Sequence, residues 1–361
     1  MRVPTAKGWK MEVNLQKRLE QQPVTAAAPC RIDLGGTLDI RTFHLPLRHL
    51  SPCTFNIALD MNTTVALHPY RKGHIRISSR GFEDAEFPAD AAPFRHPLGL
   101  MFAIAAYFRA DGVHIRIESS SPPKSALGGS SAAAVALAAA FASVLPDEGA
   151  PLSPADIAVL AHAVEESVAG VPCGFQDQLA AVYGGVNAWY WPGRITDPLF
   201  RQVPVMTIEE HPDLENHMLV AYCGIQHVSA DINGRWVRQF LEGGFRTEWG
   251  EIIACTKNFI DSLGEHNYKG ASEFMNRETM IRMEMTPDVL EDIGKSLAAA
   301  ADRNRCGARF TGAGGGGCIW ALGEQGDIEM LKPVWQEIVS ERADACLLEP
   351  RINSTGLVVT G

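Results

Sequence analysis

The sequence predicts an α+β protein of two domains. The chain has 361 residues, more than one ordinary hydrophobic core accommodates. Strand-like and helix-like periods alternate along it without a clean βαβ repeat. The pattern restarts after about Pro204, and "WPGRITDPLFRQVPV" is the only linker-like run there. These observations divide the chain into residues 1–205 and 206–361, with a soft boundary near 200–210.

In the first half, "VHIRIES" alternates apolar Val113, Ile115 and Ile117 with polar His114, Arg116 and Glu118, the period of a half-buried strand. It runs into "SSSPPKSALGGSSAAAVALAAAFASVL", a Pro/Ser/Gly loop followed by an apolar helix from Ser130 to about Leu145. A second helix opens at "SPADIAVLAHAVEESVAG", with Ser153 as N-cap, Pro154 at the first helical position, Asp156 in the first turn and Gly170 as the stop. A short helix around "FQDQLAAVY" ends at Gly184–Gly185, and "VNAWYW" reads as a strand. In the second half "MLVAYCG" is a strand, and helices follow near 229–242, 250–263 and 287–304. A turn between two strands at "ARFTGAGGGGCIWALG", a helix near 328–343 and a last strand, "TGLVVTG", complete the chain.

Composition narrows the function. A hydrophobic content of 46% and a charged content of 20% are those of a globular chain. The formal charge of −10 comes without a basic cluster. That excludes nucleic acid, whose phosphates are held by grouped Lys and Arg, and favours a small ligand. The eight cysteines have no CxxC pair or zinc spacing, which reads as reduced, buried thiols in a cytoplasmic protein. The N-terminus has no apolar core and is no signal peptide. A helix from Ser130 to Leu145 is roughly 24 Å long, short of the about 30 Å that a bilayer requires, so no membrane is expected.

Two glycine-rich loops are candidate ligand contacts. "GAGGGG" (Gly312–Gly317) formally matches G-x-G-x-x-G. Its context is wrong for a dinucleotide fold, because "CIWAL" after it reads as a strand and not a helix. Glycines in this number suit a backbone that must approach something closely. The other loop sets Gly128, Gly129, Ser130 and Ser131 at a helix N-terminus. Free N–H groups and the helix dipole make that an anion site, and the hydroxyls suit either capping or metal ligation. A well-capped core helix is the plainer reading of the same residues.

Several carboxylates need a reason. On the helix from Asp156, Glu166 lies opposite the apolar face, while Glu165 lies on its edge. A carboxylate there requires a cation or a donor, either a salt bridge or a Mg²⁺ ion shared with phosphates. Asp177 sits between Gln176 and Gln178 in an otherwise apolar segment, and "APCRIDLGGTLDI" holds Arg31 and Asp39.

Together these residues carry a resemblance. "APCRIDLGGTLDI", "PPKSALGGSSAAA" and "TGAGGGGCIWAL" are similar, in order, to the three motifs of the GHMP kinases, the superfamily of galactokinase, homoserine kinase, mevalonate kinase and phosphomevalonate kinase. The resemblance runs from about residue 26 to the end. "EESVAGVPCGFQDQLAAVYGG" and "VAYCGIQHVSADING" resemble the sugar-kinase branch, galactokinase and D-glycero-D-manno-heptose phosphate kinase.

The resemblance implies an N-terminal domain like ribosomal protein S5 domain 2 and a ferredoxin-like C-terminal domain. It implies ATP on Ser125, Leu127, Gly128, Gly129, Ser130, Ser131, Gly312, Gly314 and Gly315, and Mg²⁺ on Ser130 and Glu165. It implies Asp177 at the accepting hydroxyl with Arg31 beside it, and Thr37, Asp39 and Gly174 on the substrate. In the second motif Ala126 and Gly129 stand where the family usually has Gly and Ser, which asks whether position 126 needs φ > 0.

The expected activity is ATP-dependent phosphorylation of a sugar hydroxyl, at C1 of a hexose or heptose, by a monomer or homodimer. Arg41, Arg48 and His49 lie close to the first motif for a substrate already phosphorylated. The alternatives are a kinase for a non-sugar alcohol such as mevalonate, and a silent regulator that binds sugar and ATP.

Overall fold

The computed structural model describes residues 15–145, 151–170, 172–194, 196, 198–226 and 229–361. The N-terminal segment read as lacking a signal peptide, up to residue 14, lies outside the described residues, as do His227 and Val228 of "VAYCGIQHVSADING".

The first half runs α1 (Leu15–Gln21), β1 (Val24–Leu34), α2 (Arg41–His44), β2 (Cys53–Pro69), β3 (His74–Ser79), β4 (Ala85–Pro88), α3 (Gly99–Tyr107), β5 (Val113–Ser119), α4 (Gly129–Val144), α5 (Pro154–Ala169), α6 (Gln176–Tyr183), β6 (Val186–Tyr190) and β7 (Arg201–Pro204). Its sheet has the order β12-β1-β2-β5-β3-β4, where β12 is Val358–Thr360, and β6 and β7 extend from β2. All pairings in it are antiparallel except β3 with β5. The second half comprises α7 (His211–Asn216), β8 (Met218–Tyr222), α8 (Ser229–Leu241), α9 (Arg246–Gly264), α10 (Tyr268–Met285), α11 (Asp292–Arg303), β9 (Gly307–Phe310), β10 (Cys318–Leu322), α12 (Gln325–Ser340), β11 (Cys346–Leu348) and β12 (Val358–Thr360). Its four-stranded antiparallel sheet has the order β11-β8-β10-β9. The α+β class holds in both halves.

Burial along β1 explains how the halves meet. Its first residues alternate between buried and half-buried, whereas Ala28 to Leu34 are buried without interruption. A strand reads as continuously buried when both faces are covered. α4 packs on β1, and Cys30, Ile32 and Leu34 share a core with Phe259 and Trp320 from the second half. The register slips between Pro29 and Cys30, at the change of environment.

α4 is buried nearly all round, from Ser131 to Phe141. A helix wrapped on every side has no amphipathic stripe, and its alanines let β1, β2, α5 and α6 approach closely. α5 is capped as its sequence predicts. The Ser153 hydroxyl accepts from Asp156 N–H at 3.2 Å, Ser153 N–H donates to Asp156 Oδ2 at 2.9 Å, and Gly170 ends the helix at φ 70°.

The division at 205/206 is crossed twice. β12 pairs with β1 in the first sheet, although sequence order assigns it to the second half. Conversely, Leu38, Ile40, Phe43 and Leu47 pack into the core around Trp236 and Trp249. Sequence periodicity also passes over α10, which the structure shows as an 18-residue helix packed on α9 and β9.

Candidate active site

At the end of β5 the chain turns through Pro122 and Pro123 into the loop before α4. Lys124 and Ala126 adopt φ of 53° and 61°, so position 126 does require the left-handed region, with alanine in it. Gly128 follows at φ 75° as the N-cap of α4, and no side chain caps the helix. A Cβ at Gly128 would also stand 3.4 Å from Asp177 Oδ2. The backbone therefore passes close to that carboxylate with the first amides of α4 presented beside it.

Arg31 organises this corner. Its N–H donates to Leu127 O at 2.9 Å and its Nη1 to Ala126 O at 2.6 Å, fixing the loop to β1. Its Nε and Nη2 donate to Asp177 Oδ1 and Oδ2 at 2.8 and 2.9 Å, a bidentate pair. Burial opposes the guanidinium charge, but Asp177 and Asp33 outweigh it and hold Arg31 protonated. Burial likewise pushes the Asp177 carboxyl up, against the pull of Arg31. The Asp177 side chain keeps 23% of its exposure, whereas Arg31 is buried.

Asp177 and the loop open on a cavity of about 400 Å³. Ser125 through Ser131, Glu165, Cys173, Gly174 and Asp177 line one side of it, and Phe82, Pro97, Leu98, Met101, Ile117 and Pro122 give the other an apolar wall. That wall is drawn from segments far apart in sequence and has no linear signature.

Glu165 reaches this cavity from α5. It accepts from Ser131 Oγ at 2.8 Å and from Gln178 Nε2 at 2.6 Å. The serine that meets Glu165 is thus Ser131, while Ser130 is exposed at the cavity rim. Burial raises the Glu165 carboxyl to about 7, with Asp177 adding to the rise. A half-buried carboxylate with the Asp177 charge nearby is a setting that a hard divalent cation suits. Among the described residues no group of three or more His, Cys, Asp or Glu forms a ready metal cage. An ion here would depend on oxygens from water and ligand, the usual habit of Mg²⁺.

On the other flank, Asp39 Oδ2 accepts from Gln176 N–H at 2.9 Å and so caps α6. Gly174 is required beside it, since a Cβ there would fall 2.0 Å from Asp39 Oδ2. Asp39 Oδ1 is buried without a partner, and burial raises the carboxyl to about 6. Thr37 is turned away from this flank, its Oγ1 3.3 Å from Arg282 Nη1. Arg41, Arg48 and His49 are exposed on α2 and the turn after it.

The second glycine loop behaves differently. Gly312 N–H donates to Asp33 Oδ1 at 2.6 Å, Gly315 N–H to Val289 O at 2.8 Å and Gly317 N–H to Ile225 O at 2.8 Å. At Gly314 a Cβ would stand 2.5 Å from Val289 O. Gly314 thus closes on protein backbone, whereas a Cβ at Gly315 would meet the Ile232 side chain at 2.6 Å.

Sequence reading missed what lies behind Arg31. Asp33, two residues along the same strand and fully buried, accepts from Arg309 Nη1 and from Gln176 Nε2, each at 3.3 Å. Arg309 pairs with Glu278 at 3.1 Å, Glu278 with Arg282 at 2.8 Å, and Arg282 Nη2 donates to Gly36 O at 2.6 Å. Arg309 and Arg282 hold the Glu278 carboxyl below its ordinary range despite its burial. This chain of buried charges ties the first motif to β9 and α10. The i, i+2 spacing of Arg31 and Asp33 on one strand face is the one signal of it in the sequence.

The uncapped N-terminus of α4 and the braced Arg31–Asp177 pair face one cavity. Residues 98–185 match the family model described as "GHMP kinases N terminal domain". A mevalonate kinase of Thermococcus sibiricus is 26% identical over 337 residues, covering 85% of this chain and 91% of that one. Lactococcus lactis galactokinase, complexed with galactose, superposes with TM-score 0.72 at 16% identity, covering 95% and 98% of the two chains. The D-glycero-D-manno-heptose 1-phosphate kinase of Bacteriodes thetaiotaomicron does so with TM-score 0.69 at 16% identity, covering 94% and 99%. At that identity the two structures establish the fold alone.

Among the described residues no helix is long and apolar enough to cross a membrane. No disulfide forms among them, and six of the eight cysteines are buried, with Cys173 half-buried and Cys346 exposed.

Proposed function

We propose that this chain transfers the γ-phosphate of ATP to a hydroxyl of a small alcohol of the mevalonate kind. The bidentate Arg31–Asp177 pair facing the cavity beside the α4 N-terminus carries the reading. Phosphoryl transfer needs mainly positioning and charge neutralisation. The backbone from Ser125 to Ser131 and the α4 dipole would hold the phosphates, and the apolar wall near Phe82 and Met101 would take the base. Mg²⁺, held by Glu165 with Ser130 or Ser131, supplies charge neutralisation when bound.

Asp177 would accept or orient the proton of the attacking hydroxyl. Arg31 keeps that carboxylate in place and favours its ionised form. Asp33 lies 3.7 Å behind Arg31 and is itself paired with Arg309 at 3.3 Å.

The acceptor class rests on sequence relatives. Seven curated proteins match, and every one is named mevalonate kinase. A sugar acceptor is the second reading, and one observation favours it. The unpartnered, buried Asp39 Oδ1 is a hydrogen-bond acceptor suited to a hydroxyl donor.

The test is ADP release with Mg²⁺ and ATP across mevalonate and related hydroxy acids, free hexoses, and hexose and heptose phosphates. Turnover on a hydroxy acid alone supports the first reading, and turnover on a sugar alone replaces it with the second. Silence throughout, with ATP still bound, favours the silent regulator over both.

A further inference from the structure

We propose that Lys124 is this chain's own cationic contact for the nucleotide phosphates. The inference rests on the nucleotide reading above and adds a residue to it. Lys124 lies five residues before α4 in the loop that forms one wall of the cavity, and it is exposed on that wall. Its φ of 53° is in the left-handed region, which for a residue with a Cβ costs about 1 kcal/mol. Glycine would remove that cost, and the chain uses 33 glycines.

Charge around the cavity gives the lysine its use. The lining carries three cationic side chains, Arg31, Arg80 and Lys124, against the carboxylates Glu165 and Asp177. Arg31 is already paired with Asp177 at 2.8 Å and is buried. Arg80 donates to Ser119 O at 3.5 Å, on β5 before the loop. Lys124 forms no ion pair among the described residues. Of the two cations without an ion pair there, Lys124 is the one within the loop itself, next to a polyanion lying along the Ser125–Ser131 backbone. A flexible ammonium suits this place, since it follows a phosphate chain as a point charge.

Calorimetric titration with Mg²⁺–ATP, Mg²⁺–ADP and adenosine tests this. Lys124→Met is expected to weaken ATP and ADP by about tenfold or more, while adenosine stays within about twofold. Lys124→Arg should restore most of the loss. Lys124→Gly should lose ATP to the same extent while melting higher than wild type, because it removes strain along with charge. Unchanged ATP affinity in Lys124→Met overturns the proposal, and so does an equal loss for adenosine, which would mark a change of loop shape. A wild-type chain that binds none of the three overturns the nucleotide reading and this inference together.

Discussion

The two glycine-rich loops look alike in sequence and do opposite things in the structure. The loop before α4 leaves the first amides of a helix without a side-chain cap, and it forms one wall of the cavity. The loop from Gly312 to Gly317 gives amides to Asp33, Val289 and Ile225, and Gly314 and Gly317 stand where a Cβ would strike backbone. Glycine serves the first as a way to bring backbone to a ligand and the second as a way to bring backbone to backbone. What separates a cradle from a brace is where the N–H groups go, and composition does not record that. We propose that the phosphate contacts come chiefly from the first loop and that Gly314 braces the second, whose Ala313 still lines the cavity.

The largest expected effect belongs to the corner the cradle serves. Asp177→Asn should lower kcat by about 10²–10⁴-fold while ATP binding stays near wild type. Near-normal turnover of that variant would remove Asp177 from the mechanism. Next comes the brace. Gly314→Ala forces a Cβ to within 2.5 Å of Val289 O at φ 76°, and it should destabilise the fold by about 2–4 kcal/mol, read by denaturant unfolding. A loss under about 0.5 kcal/mol would show that the brace yields.

A smaller effect concerns the flank around Asp39. Burial lowers His44 and His162 to about 4, and the Arg41 charge contributes to both shifts. The unfolded chain binds more protons there between about pH 4 and 6.5, so stability falls as pH drops through that window. Asp39, raised to about 6, and Glu165, raised to about 7, work the other way and offset most of the two histidines. His162→Gln should therefore make the variant less sensitive to acid than the wild type by about 1–2 kcal/mol between pH 7 and 4. Thermal melts from pH 4 to 7 decide, and an unchanged slope in the variant would show that His162 does not supply the difference.

Much of this was legible in the sequence because it depends on neighbours. The cap at Ser153, the stop at Gly170 and the strand Val113–Ser119 are set within a few residues, and the structure has them where the sequence puts them. Glu165 was visible as a carboxylate on the edge of an apolar face. Which serine meets it was not, because adjacent positions on a helix differ by about 100° and the loop sets the phase. Glu278 and Arg282 stand at i, i+4 spacing on α10, and both are fully buried against Arg309 and Gly36. Their partners lie far along the chain, as do those of β12, whose Thr360 pairs with Thr25. Such contacts follow from the packed fold and leave no local pattern.

The most direct measurement is a side-by-side titration of Mg²⁺–ATP against Gly128→Ala and Gly314→Ala, with the melting temperature of each. Gly128→Ala places a Cβ 3.4 Å from Asp177 Oδ2 at φ 75°, at a stability cost of only about 1 kcal/mol. The account predicts that Gly128→Ala weakens ATP with little change in melting. It predicts that Gly314→Ala melts lower while its folded fraction binds ATP as wild type does. The reverse pattern, with ATP lost at Gly314 and retained at Gly128, would place the nucleotide on the other loop.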